Sequence, residues 1–383
     1  MKHNRKIIYL AGFLFSIPIA LASYINSSFI SAFVSEKWVG IVYALGSVLS
    51  VAALILAPRI FRKAGGYKFL LIITLLDALS FWGLASVKSI WSVVLIFILG
   101  ISLNTLMVFV LDELLKIFSN NTAMGGIRGA YLIICNLSWI LGQITHATIL
   151  GGFSFTSIYL VGFWVMMLFF IVSFFSLSKI PDPHYDEADA LSSIKGFFAN
   201  KDLVRAYGIS FLLQFFYCWM VIYTPIYLYL HLGFSWKEIS LIFAIMLLPF
   251  CIIPFQLGKY ADKIGERKIL MFGFMIAAFS TISLFFIHNR TIWIWTILLF
   301  STRVGAATIE VMSDAYFFKH IRSENDEFIG VYRSASPISY ILGPIAASLI
   351  FIFVPSFNFI YPILGSLMLY GIYLSSTIRK DDI

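Results

Sequence analysis

Apolar stretches of about twenty residues recur along the chain, separated by short polar breaks. A helix that crosses a bilayer needs about 20 mostly apolar residues. Residues 129–178 contain no Asp, Glu, Lys or Arg, and neither do residues 334–378. Each run is too long for one span and fits two helices joined by a tight turn. Gly151-Gly152 marks the first turn and Pro355-Ser356 the second. With the spans 128–150, 154–178, 328–353 and 357–378 taken from these runs, eight further stretches fit the pattern: 7–33, 38–60, 68–87, 91–115, 205–232, 238–258, 268–287 and 291–318. The pattern therefore predicts twelve spans. A membrane barrel would alternate apolar and polar positions over segments of about ten residues. Residues 239–255 are apolar on all sides, so the expected class is all-α integral membrane.

Composition sharpens that reading. Hydrophobic residues make up 60% of the chain and charged residues 12%, against about 25% charged in soluble domains. That excludes an ordinary soluble enzyme and also disorder, which requires low hydrophobicity. Cys135, Cys218 and Cys251 all fall inside apolar stretches. Their odd number and wide spacing argue against a disulfide framework or a zinc site, so no metal and no cofactor is expected. The first apolar run, from residue 7 to about 34, is longer than the h-region of a signal peptide and is expected to be retained.

The net charge of +8 invites a nucleic-acid reading until the cations are placed. If both termini lie in the cytoplasm, the inner segments hold Lys2, Arg5, Lys6, Arg59, Arg62, Lys63, Lys68, Lys116, Arg128, Lys179, Lys195, Lys201, Arg205, Lys259, Lys263, Arg267, Lys268, Lys319, Arg322, Arg333, Arg379 and Lys380. The outer segments hold only Lys37, Lys88, Lys237 and Arg290. A bias of 22 to four is the positive-inside signature, and it predicts an N-in, C-in topology. The charge is thus an orientation signal, with no nucleic-acid partner expected. A multi-pass protein of the cell (plasma or inner) membrane follows, with the lipid bilayer as its surroundings.

The longest internal polar stretch divides the spans into two sets of six. The expected organisation is a six-helix bundle over 1–178, a cytoplasmic linker over 179–204 and a second bundle over 205–383. The linker begins with Pro181, Pro183 and several acids. Its second part places Leu191, Ile194, Phe197 and Phe198 where they can share one helical face, either along the membrane surface or as a plain loop helix. The two halves also share a register. Lys63, Gly65 and Lys68 meet Lys263, Gly265 and Lys268 at an offset of 200. Leu141-Gly142 meets Leu342-Gly343, and Gly129-x-Tyr131 meets Gly330-x-Tyr332, at 201; Asp112 meets Asp314 at 202. Internal duplication of this type is how many secondary transporters are built.

The loop Gly258-x-x-Ala261-Asp262-Lys263-x-Gly265-x-Arg267-Lys268 resembles the signature loop of the major facilitator superfamily. The first copy keeps Lys63, Gly65 and Lys68 but has Arg62 where that family carries an acid. The resemblance implies twelve helices in two pseudo-symmetric bundles, a central cavity lined by spans 1, 4, 7 and 10, and no enzyme activity. Asp262 at the inner edge is suited to the amino terminus of a neighbouring helix. By pseudo-symmetry that neighbour is span 5, near Arg128. Lys263, Arg267 and Lys268 would face acids such as Glu113 and Asp314, forming a latch between the halves. The drug-proton antiporter branch carries Gly-Pro in span 5; here span 5 has Gly142-Gln143, and Gly343-Pro344 lies in span 11.

Ionisable residues within spans cost about 2.5–3.5 kcal/mol each and mark functional candidates. Asp77 is in span 3, His146 in span 5, and Arg303 and Glu310 are in span 10. Arg303 and Glu310 are seven residues apart and share a helical face, about 10.5 Å apart along the axis. Side chains lean toward the helix amino terminus, so a direct salt bridge within the helix is not expected. A water, a substrate group or an acid from another helix must complete the pair. A carboxylate whose partner changes between states suits proton coupling. Polar residues on the expected lining spans complete the candidate cavity: Tyr24 and Asn26; Asn104 and Thr105; Gln214, Tyr217, Trp219 and Tyr223. Span 5 adds Asn136, Trp139 and Gln143. Their aromatics suit stacking on a ring or sugar face.

The expected function is a secondary active transporter for a small-molecule substrate, working as a monomer by alternating access and coupled to protons in symport or efflux. An uncoupled facilitator, a membrane sensor or scaffold and a multispan membrane enzyme are the alternatives. The phosphate-binding Gly-x-x-x-x-Gly-Lys-Ser/Thr, His-Glu-x-x-His and Gly-x-Ser-x-Gly patterns do not occur.

Overall fold

The computed structural model describes residues 2–117, 124–150, 154–177, 190–254, 257, 265–321 and 327–378. Twelve long helices follow one another: α1 (Lys2–Ser23), α2 (Glu36–Ala64), α3 (Gly66–Ser86), α4 (Ile90–Ile117), α5 (Met124–Leu150) and α6 (Phe155–Ser176). The second set is α7 (Lys201–Ile226), α8 (Trp236–Pro254, with a turn at Leu247-Leu248), α9 (Glu266–Leu284), α10 (Ile292–His320), α11 (Ala335–Phe353) and α12 (Ile360–Ser376). Eleven of these elements are long and apolar enough to cross a membrane, and within α5 the stretch Ile133–Thr145 is apolar. No strand occurs among the described residues.

Helix ends follow local chemistry. The Asn200 side chain accepts hydrogen bonds from the backbone N–H groups of Asp202 (2.9 Å) and Leu203 (3.5 Å), capping α7. At the start of α8, Ser235 and Glu238 form a reciprocal box: Glu238 Oε2 accepts from Ser235 N–H at 2.7 Å, and Ser235 Oγ accepts from Glu238 N–H at 3.3 Å. Gly65 (φ 78°, ψ 147°) starts α3, and Gly265 (φ 82°, ψ 143°) starts α9. This region of backbone space is nearly closed to residues with a Cβ.

The chain divides into two compact units, one of Met1–Asp186 with Ser235–Leu241 and one of Glu187–Phe234 with Ile242–Ile383. In the first, α1 packs on α5 and α6, α3 on α4 and α6, and α2 on α4. In the second, α7 packs on α11 and α12, and α9 on α10 and α12.

The repeat extends to individual side chains. Ser138 in α5 donates to the Phe13 carbonyl of α1 at 3.1 Å, and Ser339 in α11 donates to the Phe211 carbonyl of α7 at 3.1 Å. Gly142 lets α5 approach so closely that a Cβ there would lie 2.7 Å from Ala20 Cβ; at Gly343 it would lie 2.9 Å from Cys218 Sγ. Phe29 meets Tyr159 at 4.8 Å and Phe155 at 6.0 Å between ring centroids; Tyr227 meets Tyr361 at 5.6 Å and Phe357 at 6.1 Å. The paired residues differ in number by 198 to 202, so the two units are built on one plan.

Two expectations need adjustment. The first span is not continuous: α1 stops at Ser23, the chain turns at Tyr24-Ile25, and a short helix runs over Asn26–Ser31. No proline or glycine marks this turn, and Pro18 lies inside unbroken helix. In the linker, helix Ala190–Ala199 does not present its apolar residues as one free face. Phe197 is fully buried against Tyr207, Phe317 and Phe328, while Ile194 and Phe198 stay exposed.

Candidate functional site

The most chemically loaded stretch of the second unit is the middle of α10. This helix is continuous for 29 residues, so Arg303 and Glu310 are fixed two turns apart on one rod. Their surroundings differ sharply. Arg303 is 1% exposed, and its Nε and Nη1 have no hydrogen-bond acceptor. Its guanidinium instead lies over two rings of α7, 5.4 Å from the Phe216 centroid and 5.7 Å from that of Tyr217. Desolvated cation–π contacts of this type contribute about 2 kcal/mol. Glu310 is exposed. Its Oε2 accepts a 2.8 Å hydrogen bond from the Tyr217 hydroxyl. Tyr217, a phenol rather than the acid expected from another helix, spans the two: its ring faces the cation and its hydroxyl the carboxylate. The Tyr217 ring also meets Phe250 of α8 at 6.0 Å.

One turn toward the end of α10, Asp314 accepts from the Tyr332 hydroxyl at 3.1 Å and pairs with Arg333 at 3.2 Å. The Tyr332 ring stacks on Phe317 at 4.0 Å, and its hydroxyl lies 2.6 Å from Ser313 Oγ. The partners of Asp314 thus come from the segment leading into α11. At the same end, Lys319 pairs with Glu266 at 3.5 Å, which joins α10 to the start of α9.

The other predicted residues separate into lining and packing groups. Gln214 and Asn136 are half-buried. Tyr223 is fully buried in a ring cluster with Trp219, Phe351 and Phe357, and Trp219 Nε1 donates to the Gly343 carbonyl at 2.8 Å. Gln143 is fully buried and ties α5 to α1, donating through Nε2 to the Ala20 carbonyl at 2.7 Å. The Tyr24 ring packs edge-on against Trp139 at 6.3 Å.

In the first unit, Asn26 Oδ1 accepts from the Tyr159 hydroxyl at 2.8 Å. Asn104 donates to the Gly100 carbonyl at 2.9 Å, and Thr105 to Ser50 Oγ at 3.2 Å. Asp77 is fully buried beside Ser80. Of the signature loop, Gly265 holds its cap conformation, Arg267 is half-buried and Lys268 is exposed. Gly258, Asp262 and Lys263 lie outside the described residues, as do the side chains of Glu113, Arg128 and His146.

The sequence did not single out Phe216, Phe250, Ser80 or Tyr159. Only Tyr159 carried a readable signal, since the register that pairs the halves places it opposite Tyr361.

Three comparisons bear on this arrangement. The family model described as Major Facilitator Superfamily matches residues 8–344, and again 208–381. No curated protein matches in sequence. Among solved structures, a D-xylose-proton symporter superposes with a TM-score of 0.79 at 13% identity, covering 99% of this chain and 98% of that one. The POT family transporter PepTSo gives 0.78 at 10% identity, covering 98% and 97%. The nucleoside transporter NupG gives 0.72 at 12% identity, covering 98% and 100%. At these identities the likeness speaks for the fold.

Proposed function

The chain belongs to the major facilitator superfamily, and we propose from that premise that it carries a small polar solute across the membrane by alternating access, coupled to protons in symport or efflux. It is a multi-pass membrane transporter rather than an enzyme. One observation carries the finer reading: Glu310 is exposed in the middle of a membrane-spanning helix, bonded to Tyr217 and two turns from a buried arginine. A carboxylate facing hydrocarbon at that depth would cost several kcal/mol. Glu310 must therefore face an aqueous path, where it can meet both protons and solute. With Glu310 ionised, Tyr217 donates to it. With Glu310 protonated, that hydroxyl is released to a solute, and the carboxyl itself becomes a donor. Proton binding and solute binding thus share one hydrogen bond. Gln214, on the same helix as Tyr217, offers a further polar contact, and the aromatic faces around Tyr217 suit a ring or sugar.

In this reading the bundles 1–178 and 205–383 are the moving bodies, both termini are cytoplasmic, and the loop around Asp262 latches the inner side. Purified protein in proteoliposomes tests the coupling. Glu310→Gln is expected to abolish accumulation driven by a proton gradient while sparing solute exchange. Accumulation equal to that of the wild type would reject Glu310 as the proton carrier, and wild-type transport indifferent to a gradient would make the protein a facilitator. Asp262→Asn is expected to slow transport without loss of solute binding.

A further inference from the structure

The first unit holds its own buried carboxyl, far in sequence from the α10 site. Asp77, in the middle of α3, is 0% exposed, makes no ion pair, and leaves Oδ2 without a hydrogen-bond partner. Its one side-chain contact of this kind is Ser80, one turn on. Ser80 Oγ lies 2.7 Å from the Asp77 backbone carbonyl and 3.3 Å from Asp77 Oδ1. A serine hydroxyl has a single proton. At 2.7 Å the carbonyl takes it, so the contact with Oδ1 lacks a hydrogen unless the carboxyl supplies one.

The surroundings agree. The helices packed on α3 are α2, α4 and α6. Between Ile90 and Leu111, α4 has no ionisable side chain. The titratable groups in the apolar stretches of α6 and α2 are phenols such as Tyr159 and Tyr43, both buried, and the charged residues of α2 are Glu36 and Lys37 at its start and Arg59, Arg62 and Lys63 near its end. Among the described side chains no cation is paired with Asp77, and a bare carboxylate there would pay the full cost of desolvation.

Ser80 also borders a cavity of about 50 Å³ lined by residues of α1, α3, α4 and α6. Ser23, Asn26, Asn104 and Tyr159 also line it, and the buried Asn104 Oδ1 has no partner. Water needs a polar site with at least about 10–15 Å³ of open volume, and this cavity supplies both. We infer that Asp77 is a proton-binding site: a neutral carboxylic acid that donates through Oδ1 to Ser80 and exchanges its proton, by way of the serine hydroxyl, with water held in the Asn26–Asn104 cavity. The exchange is balanced when the Ser80 hydroxyl turns from the Asp77 carbonyl toward the cavity, passing its own proton to the water as it accepts the carboxyl proton, and the reverse steps return a proton. A sodium ion does not fit as well. Ser80 Oγ is the one side-chain oxygen in hydrogen-bond contact with the carboxyl, whereas a hard cation gathers several oxygen ligands. The site is separate from Glu310 and does not depend on the transport reading.

Infrared spectroscopy of the protein in liposomes at neutral pH tests the assignment. In a Glu310→Gln background, the difference between Asp77 and Asp77→Asn should contain the carbonyl stretch of a neutral acid that shifts in deuterated water. Aspartate labelled with ¹³C at the side-chain carbonyl identifies the same band without mutation at residue 77, should Asp77→Asn fail to fold. Ser80→Ala should move the band upward and slow its deuterium exchange several-fold. Carboxylate bands in place of the neutral one would overturn the inference. So would loss of the band when sodium replaces potassium, or exchange unaffected by Ser80→Ala.

Discussion

Tyr217 touches both charges of α10: its hydroxyl donates to Glu310 at 2.8 Å, and its ring lies 5.7 Å from the Arg303 guanidinium. These two contacts use different parts of the side chain and can be separated by mutation. Tyr217→Phe keeps the ring under Arg303 and removes only the hydroxyl. A hydrogen bond to a charged group contributes about 1.5–3 kcal/mol, so gradient-driven accumulation is expected to fall about tenfold or more. Melting temperature in detergent should change little. An initial-rate flux assay beside a thermal melt checks both.

Arg303 gives the opposite separation. It is buried with two donor positions unused, and that desolvation offsets what its cation–π contacts contribute. Replacing a poorly satisfied buried charge with an apolar side chain of similar volume is often neutral or stabilising. Arg303→Met is expected to fold with an unchanged or raised melting temperature and to lose transport. Arg303→Lys should not rescue it, because lysine lacks the planar group that covers two rings. Flux and melting curves of both variants decide this.

The cap glycines should behave as a pair. Gly65→Ala and Gly265→Ala each force a Cβ into a region that costs about 1–3 kcal/mol, at positive φ of 78° and 82°. Similar losses of melting temperature are expected at both positions, since each starts the third helix of its unit. A large loss at one and none at the other would argue against equivalent loops.

Close packing gives a graded test of the second unit. A Cβ at Gly305 would lie 2.6 Å from Ala277 N and from Gly273 O, which are backbone atoms of α9. Neither can turn aside, so Gly305→Ala is expected to spread α9 from α10, at the 1–3 kcal/mol of about one overpacked site or above. At Gly330 nothing lies within 4 Å, and Gly330→Ala should be tolerated. Unfolding curves of the two variants give the comparison.

Some of this was legible in the sequence, for reasons that differ by element. Spans are set by solvent, so charge-free runs revealed them. The Lys63-Gly65-Lys68 register is set by backbone geometry that only glycine satisfies, so it survived in both halves and located the caps of α3 and α9. The turn at Tyr24-Ile25 carried no glycine or proline, so nothing in the local sequence announced it. Helical spacing placed Arg303 and Glu310 on one face but could not supply Tyr217, since the rotation of α7 about its axis depends on packing against α11 and α12. The same ignorance of rotation made Tyr223 a lining candidate, whereas its ring lies in the core of its unit. The seven-residue spacing suggested a water, a substrate group or an acid from another helix between the two charges, where the structure has the Tyr217 phenol.

The uninterrupted course of α10 has a mechanical corollary. At 1.5 Å per residue, its 29 residues form a strut about 43 Å long, longer than the hydrocarbon is thick. A strut of this kind cannot bring its own acid closer to its own base. Any change in the distance between that acid and its surroundings must come from rotation or sliding of the entire shaft, or from movement of α7, which carries the phenol of Tyr217.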